Sequence, residues 1–198
     1  MKKLIDLTLS IIGLFVLTPF LIIIIFVIYF KIGRPIFFIQ ERPGLNGEKF
    51  QFYKFRTMNN NTDRNGNLLP DGERMTSFGM FLRKTSLDEI PSLINVVLGD
   101  MSLVGPRPLL SEYLGLYSDY QMTRHKVKPG ITGWAQINGR NSITWEQKFD
   151  LDIWYVKNQS TFLDLKIIFK TIIKVLKQDD ISHNESYSMP KFRGNIKP

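Results

Sequence analysis

The sequence predicts an α+β fold: a small, mainly helical globular domain with short strands, carried behind a long apolar N-terminal helix. Three observations carry this reading. Leu7 to Phe30 contains no charged residue. Phe50–Met58 alternates at the two-residue period of a strand. Phe162–Lys177 has the helical period, with apolar residues and lysines on different sides. A chain of 198 residues accommodates one soluble domain plus a membrane element, and is too short for two ordinary domains.

The apolar run LTLSIIGLFVLTPFLIIIIFVIYF is about 24 residues and would extend roughly 36 Å as a straight helix, enough to cross a hydrocarbon core. It is too long for a cleaved signal peptide, and no small-residue cleavage site follows it. Thr18-Pro19 falls in its middle, where proline removes a backbone hydrogen bond and crowds the preceding turn. Lys2 and Lys3 precede the run, and Lys31, Arg34 and Arg42 follow it. Short flanking segments rich in Lys and Arg stay cytoplasmic, which favours both ends on one side. A helix that enters, bends at Thr18-Pro19 and returns satisfies this. Its halves, Leu7–Leu17 and Phe20–Phe30, are each about 16 Å long, half a bilayer. Membrane helices also tolerate proline, so the residues alone leave both a single span and re-entry open.

Beyond this helix, Pro35 and the run IFFIQ read as a short extended segment leading into a turn at Glu41-Arg42-Pro43-Gly44, with a loop through Leu45–Gly47. A strand over Phe50–Met58 would direct Phe50, Phe52, Lys54 and Arg56 to one side. Asn59–Arg74 is rich in Asn, Asp and Gly, including Asn65-Gly66, and reads as a mobile loop or small hairpin. Helices follow from about Thr76 to Arg83 and from near Ser86. Asn141–Asn158 is mixed, with Trp145, Trp154 and Tyr155 assigned to a helix. The last helix opens at Thr161, with Asp164 three residues on as a capping box. Lys166, Lys170, Lys174 and Lys177 share one arc of it. Leu165, Ile168, Phe169, Ile172, Ile173, Val175 and Leu176 take the other side. Such a helix either packs on the core with a solvated lysine stripe or lies in a membrane interface. The tail after Gln178 is polar and predicted to be loose.

Lys and Arg number 26 against 18 Asp and Glu, a net charge of +8, which suits polyanionic partners: nucleic acid, anionic lipid or phosphorylated substrates. Cysteine is absent, which excludes disulfides, thiolate metal sites and a cysteine nucleophile. His125 and His183 are the only histidines, too few for a multi-histidine metal centre. No G-x-S-x-G elbow occurs, and His125 lies in the basic run Arg124-His125-Lys126, so a serine hydrolase has no support.

Arg83-Lys84-Thr85-Ser86-Leu87-Asp88-Glu89-Ile90-Pro91 is the most informative stretch. Ser86 and Glu89 form an S-x-x-E capping box, and Pro91 fits a first helical turn. Acidic residues favour a helix N-terminus for structural reasons alone. The same geometry also serves chemistry: one carboxylate attacks phosphorus while its neighbour holds Mg²⁺ against a diphosphate. Two carboxylates repel a diphosphate unless cations offset them. Arg107, set between prolines in Gly105-Pro106-Arg107-Pro108, is one candidate. The glycine-rich stretch from Lys128 to Arg140 is another source, although it matches neither a Walker A loop nor a dinucleotide fingerprint.

Gln40-x-Arg42-Pro43-Gly44, Tyr53-Lys54-Phe55-Arg56-Thr57-Met58, Ser86-Leu87-Asp88-Glu89, the run from Gly99 to Pro108, and Pro129-Gly130-Ile131-Thr132-Gly133-Trp134 together resemble the monotopic phosphoglycosyl transferases. These bacterial sugar transferases start glycan assembly on undecaprenyl phosphate. The resemblance extends from the N-terminus to about Lys177 and is closest to the small members that contain only the catalytic unit. It implies a re-entrant membrane helix over residues 1–34 broken at Thr18-Pro19, a catalytic domain over 35–180, interfacial amphipathic helices and a flexible tail over 181–198. It further implies that Asp88 attacks the sugar-linked phosphate of a UDP-sugar, expels UMP and carries the phosphosugar until polyprenyl (undecaprenyl) phosphate accepts it. Asp88 and Glu89 would hold Mg²⁺, and Lys54, Arg83, Arg107 and Arg140 would bind phosphate or order the site. Thr18 departs from the serine typical before the proline; its hydroxyl can still bond a nearby carbonyl. The resemblance places the protein on the cytoplasmic face of the bacterial inner membrane, among membrane lipids and with no nucleic-acid partner. It favours N-acetylated amino or diamino sugars. A glycosyltransferase of ordinary type, releasing UDP, and a membrane-tethered polyanion-binding protein are the competing readings. Neither oligomeric state nor downstream glycan is legible.

Overall fold

The computed structural model describes residues 1–139, 143–177 and 190–194. Helix α1, Lys2–Lys31, is continuous, with Pro19 inside it. Helical structure therefore runs through the point where two half-helices were expected. Thr18 Oγ1 donates to Leu14 O at 2.7 Å, adding a bond in the turn where Pro19 supplies no N–H. Among the described residues α1 is the one helix long and apolar enough to cross a membrane, and its most apolar stretch is only 11% buried. Phe15, Phe20, Phe26 and Phe30 are all exposed.

Both ends of α1 are fastened to the same globular domain. At the N-terminal end, the Lys2 ammonium donates to Asp164 at 2.7 Å and to the Val104 carbonyl at 3.1 Å. Asp6 accepts from Ser102 Oγ at 2.7 Å. At the other end Ile24, Ile28 and Ile32 bury against Phe55 and Leu82.

Strands β1 (Phe37–Pro43) and β2 (Lys49–Phe55) form an antiparallel hairpin, with Phe38 opposite Lys54 and Arg42 opposite Phe50. The segment Glu41–Pro43, expected as a turn, is instead strand paired with Lys49–Gln51, and the reversal lies at Leu45–Gly47. β2 ends at Phe55, three residues short of the predicted strand. Arg56 therefore does not share a face with Lys54. Its side chain is buried, donating to Met58 O at 2.7 Å and to Arg34 O. The polar stretch that follows contains the anticipated small hairpin: Thr62 bridges Leu68 around Asn65-Gly66, and Asp63 Oδ1 accepts from the Asn65 and Asn67 N–H groups. A short helix α2 (Asp71–Arg74) and helix α3 (Ser77–Lys84) come next, the latter capped by Thr76, whose hydroxyl accepts from Gly79 N.

A 3-10 helix over Leu87–Ser92 leads into α4 (Leu93–Leu98). β3 (Ser102–Val104) then pairs in parallel with β4 (Gly130–Thr132), flanking the short helix α5 (Asp119–Met122). Neither strand was legible as such. Three glycines make the junction possible by close backbone approach. A Cβ on Gly130 would lie 2.0 Å from Gly105 N, and one on Gly133 would lie 2.2 Å from Gly105 O. The glycine-rich segment thus packs backbone on backbone.

α6 (Trp134–Ile137), α7 (Trp145–Asn158) and α8 (Thr161–Lys177) complete the fold. Thr144 and Gln147 form a full capping box for α7. The box expected at Thr161 and Asp164 is not made: Ser160 Oγ accepts from Leu163 N at 3.2 Å, and the Asp164 carboxylate turns inward to Tyr155 Oη at 2.6 Å and to Lys2. α8 carries two apolar faces rather than one. Leu163 and Ile167 are buried, while Phe162, Leu165, Phe169, Ile172 and Leu176 are exposed. Residues 178–189 and 195–198, most of the predicted tail, lie outside the described residues. Phe192 does not fit a loose tail, since it is buried against Tyr113, Trp145 and Phe149.

Candidate active site

Asp88 and Glu89 lie at the start of the 3-10 helix. Ser86, the residue before Leu87, has left-handed backbone (φ 56°, ψ 16°) and makes no side-chain cap bond. A non-glycine residue in that region is sparsely populated and costs about 1 kcal/mol or more, a feature that concentrates at functional sites. The capping box predicted from Ser86 and Glu89 is therefore absent, and the reason is electrostatic. Glu89 faces Arg107, which grips both carboxylate oxygens: Arg107 Nη1 donates to Glu89 Oε2 at 3.0 Å, and Nη2 donates to Oε1. Lys54 Nζ reaches the same Oε1 at 3.1 Å. A bidentate guanidinium outweighs one neutral N–H as a partner.

Lys54 arrives from β2. Its alignment depends on Asn95 in α4, which is fully buried: its amide donates to Gln51 O at 2.7 Å, and its carbonyl accepts from Tyr53 N at 3.1 Å. Asn95 thus fixes the strand against the segment bearing the dyad. Arg107 follows β3 and is braced from behind. The buried Arg124 bonds Asp152 through Nε at 3.1 Å and Nη2 at 2.7 Å, and Nη2 also donates to the Arg107 carbonyl at 2.6 Å. Arg83, at the end of α3, donates through Nε to Thr57 Oγ1 at 3.1 Å and contributes positive charge toward Asp88. Lys54, Arg83 and Arg107 are therefore brought around the dyad. Arg140 lies outside the described residues.

The two carboxylates are not equivalent. Glu89 is held well below the usual carboxylate range: burial alone would raise it, but the charges of Arg107 and Lys54 and their hydrogen bonds prevail. Asp88 shifts the other way. Burial is the leading cause, aided by the Glu89 charge and opposed by Lys54, Arg107 and Arg83. Asp88 is 5% exposed, and its ion-pair contact among the described residues is Lys54 Nζ at 3.7 Å. Its oxygens are thus left without the fixed hydrogen bonds that occupy Glu89.

Among the described residues no group of three or more His, Cys, Asp or Glu side chains gathers as a metal site. Mg²⁺ needs fewer: it binds through one or two carboxylates with substrate phosphates and water supplying the rest. The Asp88–Glu89 pair fits that kind of site and not an all-protein cage. Sequence reasoning missed Asn95, the Arg124–Asp152 pair and the surroundings of Arg42. The only signal was Arg42's place in Gln40-x-Arg42-Pro43-Gly44; nothing local marked Asn95 or Arg124.

The profile described as bacterial sugar transferase matches residues 1–178. "Uncharacterized sugar transferase EpsL" of Bacillus subtilis (strain 168) is 54% identical over 98% of this chain and 96% of its own length. "Exopolysaccharide production protein ExoY" of Rhizobium meliloti (strain 1021) is 36% identical, over 86% of this chain and 83% of its own. "UDP-glucose:undecaprenyl-phosphate glucose-1-phosphate transferase" of Escherichia coli (strain K12) is 39% identical over 88% of this chain but only 40% of its own length, so the chain spans less than half of that relative. With a match of this extent over a domain organised around Asp88 and Glu89, the chain belongs to the bacterial sugar transferase family.

Proposed function

We propose that this protein is a phosphoglycosyl transferase that moves a phosphosugar from a UDP-sugar to polyprenyl (undecaprenyl) phosphate, with Asp88 as nucleophile. The observation that carries this is the inequality of the two carboxylates. A nucleophile needs a free lone pair and a charge nearby that favours its ionised form; Asp88 has both, with Lys54 beside it, whereas both oxygens of Glu89 are already engaged. An Asp88 oxygen attacks the sugar-linked phosphorus, and the bond from that phosphorus to the oxygen bridging to UMP breaks. UMP leaves with the electron pair, and an acyl phosphate remains on Asp88. A phosphate oxygen of the polyprenyl phosphate then attacks the same phosphorus. The Asp88–phosphorus bond breaks, the carboxylate is regenerated, and a polyprenyl diphosphate-sugar departs. Phosphoryl transfer depends chiefly on positioning and charge neutralisation, which is what Lys54, Arg83 and Arg107 supply. Mg²⁺ would be held by Asp88 and by the lone pair that Glu89 Oε2 keeps beyond its bond from Arg107, and would add neutralisation of the diphosphate. Glu89 orients Arg107.

The relatives named for undecaprenyl phosphate and the exposed apolar faces of α1 and α8 support a lipid acceptor met at the membrane interface. The test is the nucleotide product formed with a short-chain polyprenyl phosphate. UMP release is expected, and UDP release overturns the reading. The donor panel should set N-acetylated amino and diamino sugars beside glucose and galactose, the sugars named for relatives.

We also propose a monotopic arrangement, with both ends of α1 on the cytoplasmic face of the bacterial inner membrane. Because cysteine is absent, Lys3→Cys and Lys191→Cys each report alone. Both should react with an impermeant thiol reagent from the cytoplasmic side only; labelling from opposite sides shows a full span.

A further inference from the structure

Most buried guanidinium groups in this fold are satisfied. Arg124 is closed by Asp152 and a carbonyl, and Arg56 by carbonyls of Met58 and Arg34. Arg42 differs. Its Nη2 donates to Gln40 Oε1 at 2.6 Å, but its Nε is buried with no acceptor, and no carboxylate among the described residues pairs with it. It lies on the β1 residue just before Pro43, close enough to the dyad to feel both Arg107 and Glu89. Burial first, and then the Arg107 charge, push its pKa down to about 10, which leaves it charged at neutral pH. Glu89 offers little relief, because Arg107 takes both of its oxygens.

Arg42 is half-buried, and a guanidinium with one buried N–H left without an acceptor is costly; the cost is recovered when an anion arrives. A neutral glutamine is a suitable partner for such a residue: it aims the guanidinium without neutralising it. We propose that Arg42, aimed by Gln40, binds a phosphate oxygen of the substrate in the active site, beside Arg107. This rests on the phosphoglycosyl transfer reading above. The phosphate belongs either to the nucleotide donor or to the lipid acceptor, and kinetics separate these.

The experiment measures KM for the UDP-sugar and for the polyprenyl phosphate in Arg42→Gln, Arg42→Lys and Gln40→Ala, with thermal midpoints alongside. In Arg42→Gln, one KM should rise roughly 10- to 100-fold, the worth of a charge-assisted hydrogen bond, with kcat changed much less. A rise confined to the UDP-sugar assigns the contact to the donor, and a rise confined to the polyprenyl phosphate assigns it to the acceptor. Arg42→Lys should recover part of the loss, and Gln40→Ala should show a smaller rise for the same substrate. Both KM values staying at wild-type level in Arg42→Gln overturns the proposal, whether or not kcat falls. If Arg42→Gln does not fold, Gln40→Ala decides, and unchanged KM values there overturn it. Failure of the underlying reading looks different: wild-type protein would release no UMP at all.

Discussion

Asp88→Asn should lower turnover by about 10⁴-fold or more, because an amide cannot replace the attacking carboxylate. Intact-mass measurement after mixing wild-type protein with a productive UDP-sugar should show a phosphosugar added to the chain, and the variant should show none. Near-normal turnover by the variant, or an adduct on it, would falsify nucleophilic catalysis by Asp88. Stability should move in the opposite direction. Burial raises the Asp88 carboxyl above its ordinary value, so the folded state holds that proton more tightly than the unfolded chain does. The ionised form consequently costs stability, and the cost grows as pH rises through the folded value. Asparagine removes it. Thermal midpoints should therefore be higher for Asp88→Asn at pH 8, with the difference shrinking as the buffer is made acidic. A general disruption of the fold would lower the midpoint instead.

Lys54→Met should cost about 100-fold in kcat/KM at neutral pH, comparable to loss of one preorganised charge partner in a buried site. It should also displace the acid limb of the pH–rate profile upward. Lys54 is the strongest of the cations that favour the Asp88 carboxylate, while Glu89 opposes it. Removing the ammonium leaves the opposing influences of burial and Glu89 in place, and the nucleophile then stays protonated to higher pH. Activity should recover partially as pH rises. A uniform loss across the whole pH range would show that Lys54 only binds substrate. Arg83, exposed at the end of α3, should give a weaker version of the same displacement.

The parts of this molecule legible in the sequence are those set by local pattern. The charge-free run, the helix starting at about Thr76 and the helical period from Phe162 onward each depend on neighbours within a few residues. The Asp88-Glu89 pair and three of the cations gathered around it, Lys54, Arg83 and Arg107, were visible through motifs. What escaped was set by distant partners. Ser86 and Glu89 spell a capping box, but the pull of Arg107, 18 residues away, takes the glutamate elsewhere. Thr161 and Asp164 fail in the same way, because Tyr155 and Lys2 claim the aspartate. Gly130 and Gly133 belong to a glycine-rich stretch that matched no phosphate-loop pattern, and their freedom is used for contact with Gly105. The apolar residues of α8 were assigned to one side because a period cannot say how many surfaces a helix must serve.

The fastening of Lys2 and of Ile28 to one domain has a consequence for traffic. A protein in the proposed arrangement touches a single leaflet and offers no path through the bilayer. The sugar-bearing lipid it makes is released on the side where it was formed, its charged head still facing the nucleotide pool. Delivery to the opposite surface is then a separate transport event, for which this fold offers no path.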